Sequence, residues 1–477
     1  QTVEEIEKGR MSEFLEPDDP SVVGLPVTRR FGVTQETSDG RPKIRCIDDF
    51  AASGVNDTTL VEKRIAAGRV SHLVEASRRL ARGRPAERQL LLKSDFRAAY
   101  RACPIAEDHL SFSVVAVRDP PRRRVRRSRQ FAMPFGAVAA VYAWDRVAEF
   151  VVEVLRQRFF LPVARYVDDI FFVDFFSTAS ETRALIEEVV AAFGLCLEPK
   201  KTPKPSDEMV VLGVRVRLVH HGAAPVAVSL SLDDAKRQAW IGQCHKDMSS
   251  AEVERFLGRM EFAAAAVFGP GPRSHFSSLY AYVHARPHGS LGQDLCWIRE
   301  FLARNPSRDV VFADRPLPWV VYSDAEGSGG VGVFVAAGDD LIWRSATVPR
   351  SVVRRLRHRR TQIHLLEAIA VWVAVATCVR MRGCNELVVF VDNQSALGAT
   401  RKGRSSVVDL NAIVGLVHAE LARHRVSATF LRVPSSLNIA DWPSRSQEPG
   451  VGHRIGDWRS WLPVARALGP PRARGAH

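Results

Sequence analysis

Apolar and polar positions alternate in short runs from about residue 21 to 230, and the runs read as strands separated by helices. Leu90–Asp95, Phe112–Val117 and Phe171–Phe175 have strand character, while Ala137–Arg156 carries the wider apolar spacing of a helix. From 231 to about 305 the pattern turns mostly helical. Ser250 is placed to cap a helix beginning AEVERFLGRMEFAAAAVF, which should stop at Gly269-Pro270-Gly271-Pro272. From 317 the pattern predicts strands at 319–323, 331–337 and 341–346, a long helix at 362–381 and a strand at 386–391. Helices then run to about 423, followed by a strand at 428–432 and a last helix. Residues 1–20 are acidic and polar and are expected to fray, and the close, GPPRARGAH, reads as a solvated tail. The expected division is 1–20, 21–235, 236–312, 313–450 and a basic tail at 451–477, in a mixture of α+β and α/β architecture.

Composition narrows the partners more than the fold. Of the 477 residues 46% are hydrophobic, enough for two or three domains with ordinary cores. Lys and Arg total 67 against 53 acidic residues, a net charge of +14 that suits a polyanion such as nucleic acid. The seven Cys form no CxxC pair, so neither a zinc site nor a disulfide frame is indicated, and the expected setting is reducing and intracellular, cytoplasmic or nuclear. No apolar run approaches the roughly 20 residues that cross a bilayer, and no signal-peptide pattern opens the chain. The first residue is Gln rather than Met, as in a piece of a longer polyprotein.

Two sets of carboxylates carry candidate chemistry. Asp95 ends the apolar run LLLKSD, and Asp168-Asp169 sit in RYVDDIFFVDF, which reads as a tight hairpin tip. Burying Asp in such surroundings is costly unless its charge is neutralised. Hard divalent cations such as Mg²⁺ prefer carboxylate oxygens, and a pair of them can activate an attacking 3′-hydroxyl and stabilise a leaving pyrophosphate. Asp324 ends the strand VVYSD, Glu367 lies inside the apolar helix IHLLEAIAVW, Asp392 ends LVVFVD, and Asp441 opens the last helix in NIADWPSR. With the order β-β-β-α-β-α, these four can converge on one metal-binding face.

From about 26 to 235 the chain resembles the reverse transcriptase family. Asp95-Phe96-Arg97-Ala98-Ala99-Tyr100 looks like its first metal motif, and Met133-Pro134-Phe135-Gly136 like its PFG turn. Tyr166-Val167-Asp168-Asp169 looks like its YxDD hairpin. Gly194-Leu195 with Pro199-Lys200-Lys201, and Val211-Leu212-Gly213, resemble the two motifs that follow, and Lys43–Phe50 (KIRCIDDF) resembles its fingers strand. The resemblance implies a palm-and-fingers polymerase domain with Asp95, Asp168 and Asp169 as metal ligands. Tyr100, five residues past Asp95, would sit beneath the incoming sugar and collide with a 2′-hydroxyl. Arg45 can clamp phosphate oxygens bidentately, and Phe135 and Gly136 would line the nucleotide site, Gly136 by close backbone approach. Lys201 is a candidate general acid for the leaving pyrophosphate, with Lys200 not separable from it on sequence. The family's Asn-Ala-Pro-like stretch after the PFG turn is replaced by Ala137-Val138-Ala139-Ala140-Val141. The run RRRVRRSR at 122–129 could touch template phosphates, form a solvated turn or serve as a nuclear-import patch.

Over about 317–446 the chain resembles ribonuclease H, which implies that Asp324, Glu367, Asp392 and Asp441 bind two Mg²⁺ ions, with Mn²⁺ as a substitute. A helical thumb or connection would span 236–312. DNQSAL, NIADWPSR and FLGRMEFAAAAVFGPGPR are closest to retrotransposons of the tyrosine-recombinase, DIRS-like group, although Arg432-Val433-Pro434-Ser435 stands where many of these have His-x-Pro-Gly. The implied activity is RNA-directed DNA synthesis with ribonuclease H cleavage of the hybrid. The implied partners are an RNA template, a DNA primer, the RNA–DNA hybrid and dNTPs; no membrane partner and no particular oligomeric state is implied. An RNA-directed RNA polymerase would need neither Tyr100 nor an attached ribonuclease H. The alternative is a decayed or domesticated copy that only binds nucleic acid, against which the presence of all seven carboxylates counts.

Overall fold

In a computed structural model, the chain is described at all residues except 37–41, 62–63, 120–121, 246, 286–290, 313–316, 357–361, 459 and 469–477. It divides into two compact units, Gln1–Ser229 with Asp309–Phe312, and Leu230–Arg308 with Ala313–His477. Among the described residues no helix is long and apolar enough to cross a membrane.

The first unit opens with α1 (Thr2–Glu7), β1 (Val27–Glu36), β2 (Pro42–Asp48), α2 (Val70–Gly83), β3 (Gln89–Asp95), β4 (Val114–Asp119) and β5 (Arg124–Arg129). It continues with α3 (Val138–Phe159), β6 (Ala164–Tyr166), β7 (Asp169–Phe175) and α4 (Ala179–Ala192). Strands β8 (Glu208–Val211), β9 (Val214–His221) and β10 (Ala224–Leu232) follow. Strands order as β2-β1-β4-β5 in one sheet and β3-β7-β6 in another. The second of these is nearly continuous in apolar residues, because Leu90, Leu92, Ile170 and Phe172 are buried against Trp144, Val151 and Leu155 of α3 and Ile186 of α4. Fully burying such a side chain stabilises by roughly 1.5–3 kcal/mol, so the sheet that carries the first carboxylate set is anchored by packing rather than by its short hairpin.

Residues 1–20, expected to fray, instead hold a short helix followed by a segment laid along β5. Met11 is buried, Leu15 and Arg127 form a backbone bridge, and Glu5 pairs with Arg101 at 2.8 Å. Burial of Met11 and two-sided backbone pairing outweigh the polar composition that suggested a loose end. The second half of the arginine run at 122–129 is likewise drawn inward: residues 122–125 are exposed, while Arg126, Arg127 and Arg129 turn to the N-terminal segment.

The second unit holds α5 (Asp234–Gln243), α6 (Ser250–Ala263), α7 (Phe276–Val283) and α8 (Leu291–Ala303). The chain then returns to the first unit in β11 (Ser307–Val311), which completes the sheet β11-β10-β9-β8. Ser249, not Ser250, caps α6: its Oγ accepts from Glu252 N and the Glu252 carboxylate accepts from Ser249 N, a reciprocal capping box. The helix passes into a π turn at Ala264–Phe268 before the Gly-Pro stop. There follow β12 (Trp319–Ala325), β13 (Gly330–Ala337), β14 (Asp340–Thr347), α9 (Arg350–Leu356), α10 (Ile363–Cys378) and β15 (Glu386–Val391). The rest comprises α11 (Gln394–Lys402), α12 (Val408–His424), β16 (Ser427–Arg432), α13 (Asp441–Ser444), β17 (His453–Arg454) and α14 (Leu462–Ala467). The sheet order is β16-β15-β12-β13-β14-β17, with β12 antiparallel to β13 and parallel to β15. Every residue of α10 from Leu365 to Cys378 is buried, the mark of a helix apolar on all sides and enclosed by its domain. The expected α+β and α/β mixture is therefore the observed one. All seven Cys are free, with only Cys196 and Cys296 exposed.

Candidate active sites

In the first unit, antiparallel pairing of β3 with β7 sets Asp95 opposite Asp169 and lets Phe96 N donate to Asp168 O at 2.9 Å. The tip between β6 and β7 is tight: Val167 has φ of 54°, a left-handed conformation costly for a β-branched residue. Trp144 Nε1 and Arg165 Nη1 hold its carbonyl at 3.0 and 2.9 Å. As a result Asp95, Asp168 and Asp169 offer carboxylate oxygens within 4.8 Å of one another. Burial, then the neighbouring charge of Asp95, pushes the Asp168 carboxyl above its ordinary range. Two lysines offset the repulsion: Lys201 Nζ donates to both oxygens of Asp95 at 3.0 and 2.9 Å, and Lys93 Nζ lies 3.0 Å from Asp169. Burial works against the Lys201 charge, but the hydrogen bond and charge of Asp95 prevail and raise its pKa. Both Lys200 and Lys201 are exposed, and Lys201 is the one that reaches Asp95.

A cavity of about 560 Å³ opens beside these carboxylates, lined among others by Arg45, Asp48, Asp95, Phe135, Asp168 and Lys201. That volume suits a nucleotide-sized ligand. Tyr100 is packed edge-on against Phe135, ring centroids 5.2 Å apart, and lies 6.4 Å from Trp144. Burial, then Asp168, raises its hydroxyl pKa. At Gly136, φ is 100° and an added Cβ would fall 2.4 Å from the Asp48 carbonyl, so no other residue fits. Asn56 fastens the turn, donating to Gly136 O at 3.1 Å and accepting from Val138 N at 2.9 Å.

In the second unit, parallel pairing of β12 with β15 places Ser323 beside Val391, so Asp324 and Asp392 leave their strands side by side. Helix α10 crosses this sheet and adds Glu367. The three carboxylates again lie within 4.8 Å. Burial, then the charges of Asp392 and Asp324, pushes Glu367 up to about 9. Burial likewise raises Asp324. Glu367 Oε2 and Asp392 Oδ1 are buried with no hydrogen-bond partner among the described residues. Orphaned carboxylate oxygens, crowded and directed together, fit a divalent cation. Asp441 stands apart: it opens α13 half exposed, and its Oδ1 accepts from Arg445 Nε and Nη2 at 3.0 and 2.9 Å. Its charge still helps raise Asp324.

No protein-family model matches the chain, and no curated protein matches it. Solved structures are similar to it. Three are of foamy viral protease-reverse transcriptase. One, a dRH form in complex with double-stranded DNA, has 15% identity and a TM-score of 0.48, over 90% of this chain and 68% of that one. A complex with RNA/DNA hybrid has 15% identity and a TM-score of 0.49 over 91% of this chain, which spans only 53% of its length. A further double-stranded DNA complex has 15% identity and a TM-score of 0.48, over 91% of this chain and 81% of that one.

Four residues beside the clusters were not singled out on sequence. Lys93 had a signal, since the i, i+2 spacing of a strand puts it on the face of Asp95. Asn56 had none, being remote in sequence from the turn it holds. Asn438 is buried, and its Nδ2 donates to Ser323 O at 3.1 Å and Asp324 Oδ1 at 3.2 Å. His364, one turn before Glu367, has Nδ1 2.9 Å from Asn393 Nδ2. Because Asn393 Oδ1 accepts from Ser395 N and Ala396 N, its amide is the donor to His364.

Proposed function

We propose that the chain is an RNA-directed DNA polymerase with an attached ribonuclease H, the copying enzyme of a retroelement. The reading rests on one observation above all: two crowded carboxylate triads, Asp95-Asp168-Asp169 and Asp324-Glu367-Asp392, each in its own unit. The sequence motifs favour a DIRS-like element. Divalent cations, Mg²⁺ or Mn²⁺ and two per site, would activate the attacking hydroxyl or water and stabilise the leaving oxygen.

The residues around each triad do the rest. In the first site Arg45 would bind triphosphate oxygens, Phe135 lines the cavity, Gly136 fixes the turn that carries Phe135, and the Tyr100 ring, packed on Phe135, would exclude a 2′-hydroxyl. Lys201, already charged and held at Asp95, is placed to give a proton to departing pyrophosphate. In the second site Asp324, Glu367 and Asp392 would hold the cations. Asp441, now paired with Arg445, would be the fourth ligand.

Primer extension on poly(rA)/oligo(dT) and cleavage of a labelled RNA/DNA hybrid, both with Mg²⁺, test the two halves together. Asp168→Asn should abolish DNA synthesis and leave hybrid cleavage intact, and Glu367→Gln should do the reverse. Equal loss of both activities in a folded Asp168→Asn protein would overturn the two-site reading. Nucleic-acid binding with neither activity in the wild type would favour a domesticated binding protein.

A further inference from the structure

The arginine run at 122–129 takes no part in either triad. Three of its arginines, Arg126, Arg127 and Arg129, bind the N-terminal segment. Arg126 Nη2 donates to Phe14 O at 2.7 Å and its guanidinium lies 4.8 Å over the Phe14 ring, Arg127 Nη1 donates to Val22 O at 2.9 Å, and Arg129 reaches Ser21 O. Backbone bonds Ser12 N to Arg129 O and Leu15 N to Arg127 O, both 2.8 Å, complete a strap along β5. The front of that strap lies at the nucleotide cavity, whose lining includes Gln1, Glu4 and Glu5.

Gln1 makes two contacts there that bracket one residue. Its Nε2 donates to Ile44 O at 3.0 Å, and its Oε1 accepts from Cys46 N at 3.0 Å. Strand β2 is the edge of its sheet, so these backbone groups face away from β1. The Gln1 carboxamide pairs with them as one residue of a neighbouring strand would. Between them sits Arg45, exposed and lining the cavity. The strap's acidic groups are matched by their own cations: Glu5 by Arg101 at 2.8 Å and Arg10 at 3.5 Å, Glu4 by Lys8 at 2.5 Å. They therefore do little to repel a triphosphate.

We infer that Gln1, held by the strap, is a positioning residue for Arg45: by fixing the backbone on both sides it aims the guanidinium at the triphosphate of an incoming nucleotide. This rests on the polymerase reading of the first site. Gln1 touches no reacting atom and acts through Arg45 alone.

The test uses the full chain, a primer–template, and two readouts: steady-state extension with Mg²⁺, and titration with the fluorescent analogue mant-dATP in Ca²⁺, which needs no turnover. Gln1→Ala should raise KM for dNTP and Kd for mant-dATP by about three- to tenfold, the worth of one or two exposed hydrogen bonds. kcat and hybrid cleavage should stay unchanged. Arg126→Ala, which loosens the strap, should move KM the same way by less. Arg45→Ala should weaken triphosphate binding more strongly, and adding Gln1→Ala to it should cost nothing further, because two residues acting through one contact are not additive. Full additivity, or an unchanged Kd in Gln1→Ala, would overturn the inference, as would Arg45→Ala binding mant-dATP normally. A wild type that binds mant-dATP but never extends a primer would instead sink the polymerase reading, while the Kd comparison still decides the role of Gln1.

Discussion

Tyr100 shows how far a single side chain could be read in advance. Its spacing from Asp95 gave the expected role, and the structure adds the packing that holds it: Phe135 on one edge and Trp144 behind. Tyr100→Ala should therefore admit ribonucleotides, with dNTP-over-rNTP preference falling roughly 10- to 100-fold, the scale of discrimination by a shape-fitted pocket. Competitive incorporation measures it, and unchanged preference would remove Tyr100 from the sugar site. Lys201 was legible only as one of a pair, since Pro199–Lys201 is a single short turn and only the tertiary fold decides which ammonium meets Asp95. Glu367 was legible as an expensive charge in an apolar helix, and its shift carries a pH signature. Its folded-state value, about 9, lies above the ordinary 4.5. The stability tied to its neutral form is present in full below that ordinary value and is lost as the pH climbs through the folded one. Metal-free wild type should lose melting temperature between about pH 5 and 9. Glu367→Gln, which cannot ionise, should be flatter over that window and a few degrees more stable at pH 8, for a difference on the order of 1 kcal/mol or more. Added Mg²⁺ should raise the wild-type melt far more than the variant's, because it binds the native state. A metal-free variant melting well below wild type at pH 8 would mean that Glu367 is a structural partner rather than a ligand.

At the scale of elements, strands and long helices followed the periodicity closely, because each buries a face that the sequence must keep apolar. What escaped was anything decided by backbone approach. The segment carrying Asn438 and Asp441 docks on β13 through two glycines: a Cβ on Gly330 would lie 2.0 Å from Ser444 O, and one on Gly332 2.0 Å from Ala440 O. Neither glycine has an unusual place in the strand pattern, so sequence gave no hint that a backbone would rest there. Gly332→Ala should push this segment off the sheet, costing about 3 kcal/mol in the melt and most hybrid cleavage, while primer extension is kept. Wild-type cleavage by Gly332→Ala would show that the segment is dispensable and that Asp441 has no part in the site. The N-terminal strap escaped for a related reason: its polar residues hydrogen-bond to an existing strand, a pairing that local composition does not encode.

Over the whole molecule, the second compact unit gathers Leu230–Arg308 together with Ala313–His477. Helices from 236–312 share that unit with the sheet of β12–β16. Asn411 Nδ2 donates to Ser274 O at 2.7 Å, Ser277 Oγ to Asn411 Oδ1 at 3.0 Å, and the Arg404 guanidinium lies 4.0 Å over the Tyr280 ring. An added Cβ on Gly403 would meet Pro270 O at 2.6 Å, so the surfaces fit closely. A fragment beginning near 230 should consequently melt several degrees above one beginning near 317, since the shorter piece leaves this polar and aromatic face in water. Equal melting temperatures would make the helices a mere neighbour. Periodicity could not reveal this joint, because the residues that form it are polar and their partners lie more than a hundred positions away.

The cysteines give the molecule a built-in ruler. Cys196 lies in the first unit and Cys296 in the second, and both are exposed. Burial pushes the thiols of Cys103, Cys244, Cys378 and Cys384 upward, Cys244 to about 12 and Cys384 to about 11, so they hold almost no thiolate near neutrality. With half-buried Cys46 changed to Ser, a maleimide donor–acceptor pair would attach at one site on each unit. Single-molecule energy transfer between them would then report whether added nucleic acid or nucleotide changes the separation of the two dyes.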